Sequence, residues 1–237
     1  MKIQICGVAF DDLSVPEAVR AALLPAEEPC WVVTPNAVIL EHCTRNPGMR
    51  DLLNSASLVL PDGAGVVMAA RRQGTPLGGR TAGIDFGEAL MAAAAAGGER
   101  VFLLGGREGV AEEAAVRLCA AYPGLHICGC YWGYFEQAGE ENRRVLGMIR
   151  ACRPDILLVC LGFPAQELWM RENLPFLPSV RVAAGLGGSL DVWSGRCTRA
   201  PRFLREHGLE WAWRMAHAPS KLRHLPALLR FTRLAGR

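Results

Sequence analysis

Short apolar runs that break off into glycine, proline and polar residues recur along this chain. Trp31-Val32-Val33 runs into Thr34-Pro35-Asn36, Leu58-Val59-Leu60 into Pro61-Asp62-Gly63-Ala64-Gly65, and Val101-Phe102-Leu103-Leu104 into Gly105-Gly106-Arg107-Glu108-Gly109. Ile156 to Leu161 leads into Gly162-Phe163-Pro164-Ala165-Gln166-Glu167, and Val180 to Ala184 into Gly185 to Asp191. Runs this short and apolar predict strands, and the alanine-rich stretches of helical length between several of them predict helices. The pattern is α/β, with a mostly parallel sheet flanked by helices. In open parallel sheets ligands lie outside the carboxyl ends of the strands, so the five polar loops are expected to form a single site. Met1 to Val8 reads as a first strand.

Composition sets the class. A chain of 237 residues, 51% hydrophobic with 26 glycines, can bury the core of one large domain or two small lobes, and disorder is excluded. No window nears the 18 or so consecutive apolar residues of a membrane span, and the first residues hold no long apolar segment, so a cytoplasmic protein is expected. The nine cysteines are scattered mostly through predicted strands and helices and read as small buried hydrophobes, with no disulfide framework.

Asp62 stands out because an apolar strand ends abruptly in a carboxylate between Pro61 and Gly63. Pro61 holds the preceding residue extended, and Gly63 and Gly65 permit torsions and close approaches that a side chain would block. That is how a fold presents an acid at a site, although Asp-Gly is equally a common turn pair. No metal is expected. Cys128-Gly129-Cys130 is too closely spaced for zinc, the five histidines form no i, i+4 pair, and no Asp-x-Asp pair could hold a divalent ion against a diphosphate. Phosphate charge would then have to be met by arginine, backbone N–H groups or a helix N-terminus.

The net charge of +3 hides an asymmetry. Residues 196–237 carry ten Lys and Arg against two acids, whereas residues 1–195 are net acidic. The organisation expected is therefore a catalytic α/β domain over 1–195 and a basic helical appendage over 196–237. In that appendage Leu222, Leu225, Leu229 and Phe231 alternate with Lys221, Arg223, Arg230 and Arg233 after a Pro219-Ser220 helix start, as in a basic amphipathic surface helix. A solvated face and contact with anionic lipid both fit. Nucleic acid fits poorly, because few aromatics are interleaved as a stacking ladder. Each Lys or Arg near an anionic bilayer is worth about 1 kcal/mol. Trp193, Trp211 and Trp213 could add interfacial anchoring or serve as packing between appendage and core.

Together these residues carry a resemblance. Thr34-Pro35-Asn36, Pro61 to Gly65, Arg80 with Gly83-Ile84-Asp85, Leu104-Gly105-Gly106, Gly133-Tyr134-Phe135, Gly162 to Trp169, Gly185 to Asp191, and Arg199-Ala200-Pro201 with Gly208-Leu209-Glu210-Trp211 resemble the ordered motifs of the WecG/TagA/CpsF family of bacterial glycosyltransferases. The resemblance runs from about residue 5 to 230 and implies a Rossmann-like fold. It implies transfer of a sugar from a UDP-sugar to a polyprenyl-diphosphate-linked sugar at the cytoplasmic membrane face, in assembly of teichoic acid or other surface polysaccharides. The TagA branch, closest in pattern, moves N-acetylmannosamine to the 4-hydroxyl of lipid-linked N-acetylglucosamine with inversion. Other members transfer N-acetylmannosaminuronic acid or glucose.

By this resemblance Asp62 is the catalytic base, and Thr34, Asn36, Arg80 and Gln166 bind substrate. Arg80, in Gly78-Gly79-Arg80-Thr81, offers a guanidinium fork to the departing diphosphate. Tyr134 would stack on uracil, Asp191 would accept from ribose hydroxyls, and Gly105 and Gly106 would approach the donor nucleotide. Arg214, Lys221 and Arg223 are expected to close over the diphosphate or to touch the membrane. Lys221 and His224 stand where the family often carries Arg, which weakens bidentate phosphate contacts there. No cofactor is expected. The apolar face of the appendage could meet lipid or another subunit, so a homo-oligomer stays open. Two other classes compete: a Rossmann-type oxidoreductase, against which the G-x-G-x-x-G spacing is missing, and a non-catalytic membrane scaffold.

Overall fold

A computed structural model describes residues 2–217 and 225–234. The chain divides into two compact units. One comprises the described residues among 1–14, 34–82 and 198–237, the other residues 15–33 and 83–197.

The first unit opens with a hairpin. Strands β1 (Lys2–Ile5) and β2 (Val8–Asp11) pair antiparallel, with Ile5 opposite Val8. Cys6 and Gly7 form the two-residue loop, both at positive φ (51° and 80°), the torsions a tight hairpin turn demands. Met1 to Val8 is therefore no member of the parallel sheet: a partner strand two residues away closes at little loop entropy. The hairpin buries Ile3, Ile5, Val8 and Phe10. Asn54, ending helix α3 (Pro47–Asn54), donates to Gly7 O and accepts from Ala9 N, both at 2.9 Å. Asp11 accepts from the backbone N–H of Val59 at 2.9 Å, fixing the short strand β4 (Leu58–Val59). Helix α2 (Ala37–Arg45) precedes α3, and α4 (Ala64–Arg72) follows Asp62-Gly63.

The described part of the appendage folds into this unit as α10 (Arg202–Glu206), α11 (Glu210–His217) and α12 (Leu225–Leu234). Helix α12 lies on α2 with Phe231 fully buried. The carboxylate of Glu41, 2% exposed, accepts from Arg230 Nε at 2.6 Å and Arg45 Nη2 at 2.7 Å. Burial pushes that carboxyl's pKa upward, but the two guanidinium groups outweigh it and hold the group below the usual carboxylate range.

The second unit is a parallel sheet in the order β3 (Cys30–Val33), β8 (Val182–Gly185), β7 (Ile156–Cys160), β5 (Arg100–Gly105), β6 (His126–Tyr131). Every residue of β7 and β8 is buried, as expected of central strands covered on both faces. Helices α1 (Val15–Leu23), α5 (Gly83–Gly97), α6 (Val110–Ala121), α7 (Gly139–Cys152), α8 (Ala165–Asn173) and the short α9 (Ser189–Trp193) complete the layers. The edge strand β6 escapes sequence reading, since Cys128-Gly129-Cys130 lacks an apolar run. A side chain at Gly129 would meet the Phe102 ring 2.7 Å away, and the β5–β6 register shifts between Val101 and Phe102. Trp193 is buried, donating weakly to Glu88 at 3.4 Å, and anchors core rather than an interface.

All nine cysteines are free thiols. Among the described residues no helix is long and apolar enough to cross a membrane.

Candidate active site

In the first unit three loops carrying expected site residues are stitched to one another through their backbones. The Asp62 N–H donates to Pro35 O at 3.3 Å, and the Thr81 N–H donates to Pro61 O at 3.0 Å. Thr34-Pro35-Asn36, Pro61-Asp62 and Arg80-Thr81 are thereby neighbours although 47 residues separate Thr34 from Thr81 in sequence. Asn36 caps α2, its Oδ1 accepting from Val38 N at 3.0 Å and Ile39 N at 3.3 Å. The cap occupies the oxygen and leaves the amide nitrogen as a donor. Thr34 is buried beside it in sequence. Asp62 is half-buried just before α4, whose N-cap, Gly63, sits at φ 91°. That torsion explains the Asp-Gly pair, because a side chain at 63 would be strained whatever space surrounds it.

The loop bearing Arg80 is fixed on both sides. Asp12 Oδ1 accepts from Gly78 N at 2.8 Å, and Thr81 Oγ1 donates to Leu13 O at 2.6 Å. The guanidinium donates through Nη1 to Glu210 Oε2 at 3.0 Å, in an ion pair whose side chains are 19% and 10% exposed. Glu210 begins α11, so the appendage meets the candidate site here.

The same unit brings appendage and loops together twice more. At Gly208 (φ 71°) an added Cβ would come within 2.7 Å of Ala64 Cβ, two residues past Asp62. At Gly65 it would come within 2.9 Å of Ala37 Cβ and 3.8 Å of Phe231. Arg214 falls on α11, whereas Lys221 and Arg223 lie outside the described residues.

In the second unit the loops after β5, β7 and β8 leave the carboxyl edge of one parallel sheet. Gly105 (φ 138°) and Gly106 (φ 73°) pass so close to Cys160 and Val110 that neither could carry a side chain. The N–H of Gly133 donates to Gly106 O at 2.8 Å, which sets the Trp132-Gly133-Tyr134 loop on the glycine turn. Tyr134 is exposed, its ring 6.5 Å from that of Trp132 and inclined 25° to it. Asp191 lies in α9, half-buried, its carbonyl accepting from Cys197 N at 2.8 Å. Arg196 forks onto Glu113 of α6 at 2.8 and 2.9 Å, so the first two residues of the expected appendage are tied to this unit and those from Thr198 on to the other.

Gln166 is more constrained than a loop-end amide. Its Oε1 accepts from Gly162 N at 3.2 Å and Gly187 N at 3.0 Å, joining the turns after β7 and β8, while Nε2 donates to Glu167 Oε1 at 2.8 Å. Glu167 is 1% exposed and its Oε2 has no hydrogen-bond partner. Burial pushes its pKa up to about 7, with hydrogen bonds from Gln166 and the backbone opposing. Sequence reading passed over both Glu167 and the Glu210 contact. The first sits in a quoted motif, but nothing local marks a carboxylate as buried. The second depends on a partner 130 residues away.

Among the described residues no three His, Cys, Asp or Glu side chains gather into a cluster fit to hold a metal ion.

A model of the family described as "Glycosyl transferase WecG/TagA/CpsF family" matches residues 3–237. A Bacillus spizizenii protein named N-acetylglucosaminyldiphosphoundecaprenol N-acetyl-beta-D-mannosaminyltransferase is 36% identical over 201 residues, which cover 85% of this chain and 76% of that protein. A Staphylococcus aureus protein of the same name is 33% identical over 217 residues, covering 90% and 84%.

Proposed function

Because this chain belongs to the WecG/TagA/CpsF family of glycosyltransferases, we propose that it transfers N-acetylmannosamine from its UDP donor to the 4-hydroxyl of polyprenyl-diphosphate-linked N-acetylglucosamine. The transfer inverts the anomeric centre and needs no metal. The names of the Bacillus and Staphylococcus relatives support the acceptor and the sugar. The observation that carries the chemistry is the backbone stitching of Thr34-Pro35-Asn36, Asp62 and Arg80 within one unit.

In a single displacement the acceptor oxygen bonds to the anomeric carbon as the bond from that carbon to UDP breaks. Asp62 takes the proton leaving the acceptor hydroxyl, a step worth about 10²–10⁴ in rate. The departing diphosphate gains negative charge, which Arg80 meets. Thr34 and the Asn36 amide hydrogen-bond the sugar, while Gln166, buried with its amide bonded to Gly162, Gly187 and Glu167, braces the turns after β7 and β8. Gly105, Gly106, Tyr134 and Asp191 serve the nucleotide. Arg214, Lys221 and Arg223 serve the diphosphate or the membrane.

The appendage holds the enzyme on the anionic inner face of the membrane. Support comes from its surplus of Lys and Arg and from the exposed side chains of Phe203, Leu209, Trp211 and Leu229, an apolar and basic combination suited to the lipid interface. Replacing Trp211 and Leu229 together by serine should lower binding to phosphatidylglycerol vesicles. Equal binding by variant and wild type would refute the docking role.

Purified protein with a panel of UDP-sugars, a lipid-diphosphate N-acetylglucosamine and EDTA tests the reaction. Turnover is expected with UDP-N-acetylmannosamine, and Asp62→Asn should lose about 10²–10⁴ in kcat. Faster turnover with UDP-N-acetylmannosaminuronic acid or UDP-glucose would reassign the donor, and full activity of Asp62→Asn would remove the base.

A further inference from the structure

We infer that Glu210 is a positioning residue for Arg80, so that the appendage completes the reaction site through an ion pair in addition to any contact with lipid. The inference rests on the proposed role of Arg80 at the diphosphate.

The backbone around Arg80 is already fixed by Asp12, Leu13 and Pro61, but an arginine side chain keeps several freely rotating bonds beyond that backbone. What sets the direction of the guanidinium is a partner for its donors. Glu210 Oε2 lies 3.0 Å from Nη1, and both side chains are largely withdrawn from water, where a charge-assisted contact is strong and salt screens it little. A guanidinium is planar, with five N–H donors in a rigid fork. A carboxylate held on one edge therefore orients the whole fork.

Glu210 is itself immobilised. It is the first residue of α11, directly after the Gly208 turn that packs against Ala64 with no room for a side chain. Ala64 belongs to the same short segment as Asp62. The turn that supplies the carboxylate is thus pressed onto the segment that supplies the base, and the Arg80 loop is bonded to Pro61 of that segment. Base, cation and orienting carboxylate share one rigid framework, and the last of them comes from the appendage. Arg80 and Glu210 each have further interactions besides this pair.

The test is a double-mutant cycle on the full chain, assayed with a short-chain water-soluble acceptor and no vesicles, so that membrane docking plays no part. Glu210→Ala should lower kcat about 10–100-fold, the range expected when a catalytic group is misplaced by an ångström or so, with little change in acceptor KM. Glu210→Gln, which keeps the shape and one acceptor, should recover part of the loss and should unfold at the wild-type temperature. Arg80→Ala and Arg80→Ala/Glu210→Ala should agree within about twofold, because the inferred effect of Glu210 on kcat passes through Arg80. The inference is overturned if Glu210→Ala is as active as wild type or more so, as a latch displaced by substrate would be. It is equally overturned if Glu210→Ala costs the same factor with and without Arg80. Full activity of Arg80→Ala would instead sink the proposed role of Arg80 itself, and this inference with it.

Discussion

Replacing Glu167 by glutamine should stabilise the protein above neutral pH and leave it unchanged at about pH 4.5 and below. The carboxyl is 1% exposed, accepts one hydrogen bond from Gln166 and leaves Oε2 unpartnered. Burial pushes its pKa from 4.5 to about 7. Below 4.5 the group is protonated in folded and unfolded chains alike and contributes no pH dependence. Between 4.5 and about 7 the unfolded chain releases a proton that the folded chain retains, so stability falls with rising pH until both forms are ionised. Each pH unit over that span is worth about 1.4 kcal/mol, a total of about 3 kcal/mol. Glutamine keeps the shape and can still accept from Gln166 Nε2, but cannot ionise. Urea denaturation followed by far-UV circular dichroism at a series of pH values should therefore give equal midpoints near pH 4.5. At pH 8 the variant should lead by about 3 kcal/mol, equivalent to roughly 6–12 °C in Tm for a chain of this size. A difference between the two proteins that does not vary with pH would refute the assignment of a buried, proton-retaining carboxyl at this position.

Other substitutions separate stability from chemistry. Asn36→Asp keeps an oxygen to cap α2 and should fold with wild-type stability, yet lose activity about 10-fold or more if the amide donates to the sugar; undiminished kcat/KM would assign Asn36 to capping alone. Glu41→Gln removes the charge that Arg230 and Arg45 share and should destabilise the packing of α12 on α2 by about 1–3 kcal/mol, read as faster hydrogen exchange in residues 225–234. Since the Glu41 pKa is lowered on folding, that contribution is present above the ordinary carboxylate range and lost as pH falls through the folded value. Gly105→Ala should express poorly or melt several degrees lower, because its φ of 138° and the Cys160 carbonyl leave no place for a Cβ; an unchanged Tm would contradict this backbone geometry.

Much of the fold is legible along the chain because its signals are local. The apolar runs at 31–33, 101–104 and 156–161 declare strands by residue type alone, and the Gly and Pro residues after them declare where the strands stop. The loop after 31–33 holds Thr34 and Asn36, that after 58–60 holds Asp62, and the Gly-rich stretch at 78–80 holds Arg80, the residues on which the family resemblance rests its expected site. The hairpin at residues 2–11 and the strand at 126–131 were less readable. In the first, a two-residue turn outcompetes the parallel sheet. In the second, a glycine accommodates Phe102 where an apolar residue would have marked the strand.

Pairings between distant residues belong to the tertiary structure. Helix and strand periodicities reach only a few residues along the chain, so nothing in the neighbourhood of Glu41 signals Arg230, and nothing near Arg80 signals Glu210. Burial is equally non-local: Glu167 reads as an ordinary helix-start acid until the folded chain leaves it 1% exposed. Residue types read in chain order are enough to locate the polar loops that follow the strands and to show that the C-terminal stretch is basic. Only the folded chain decided that this stretch packs against the Asp62 segment and gives Arg80 its carboxylate, because a charge takes its partner from whatever the fold brings within about 3 Å.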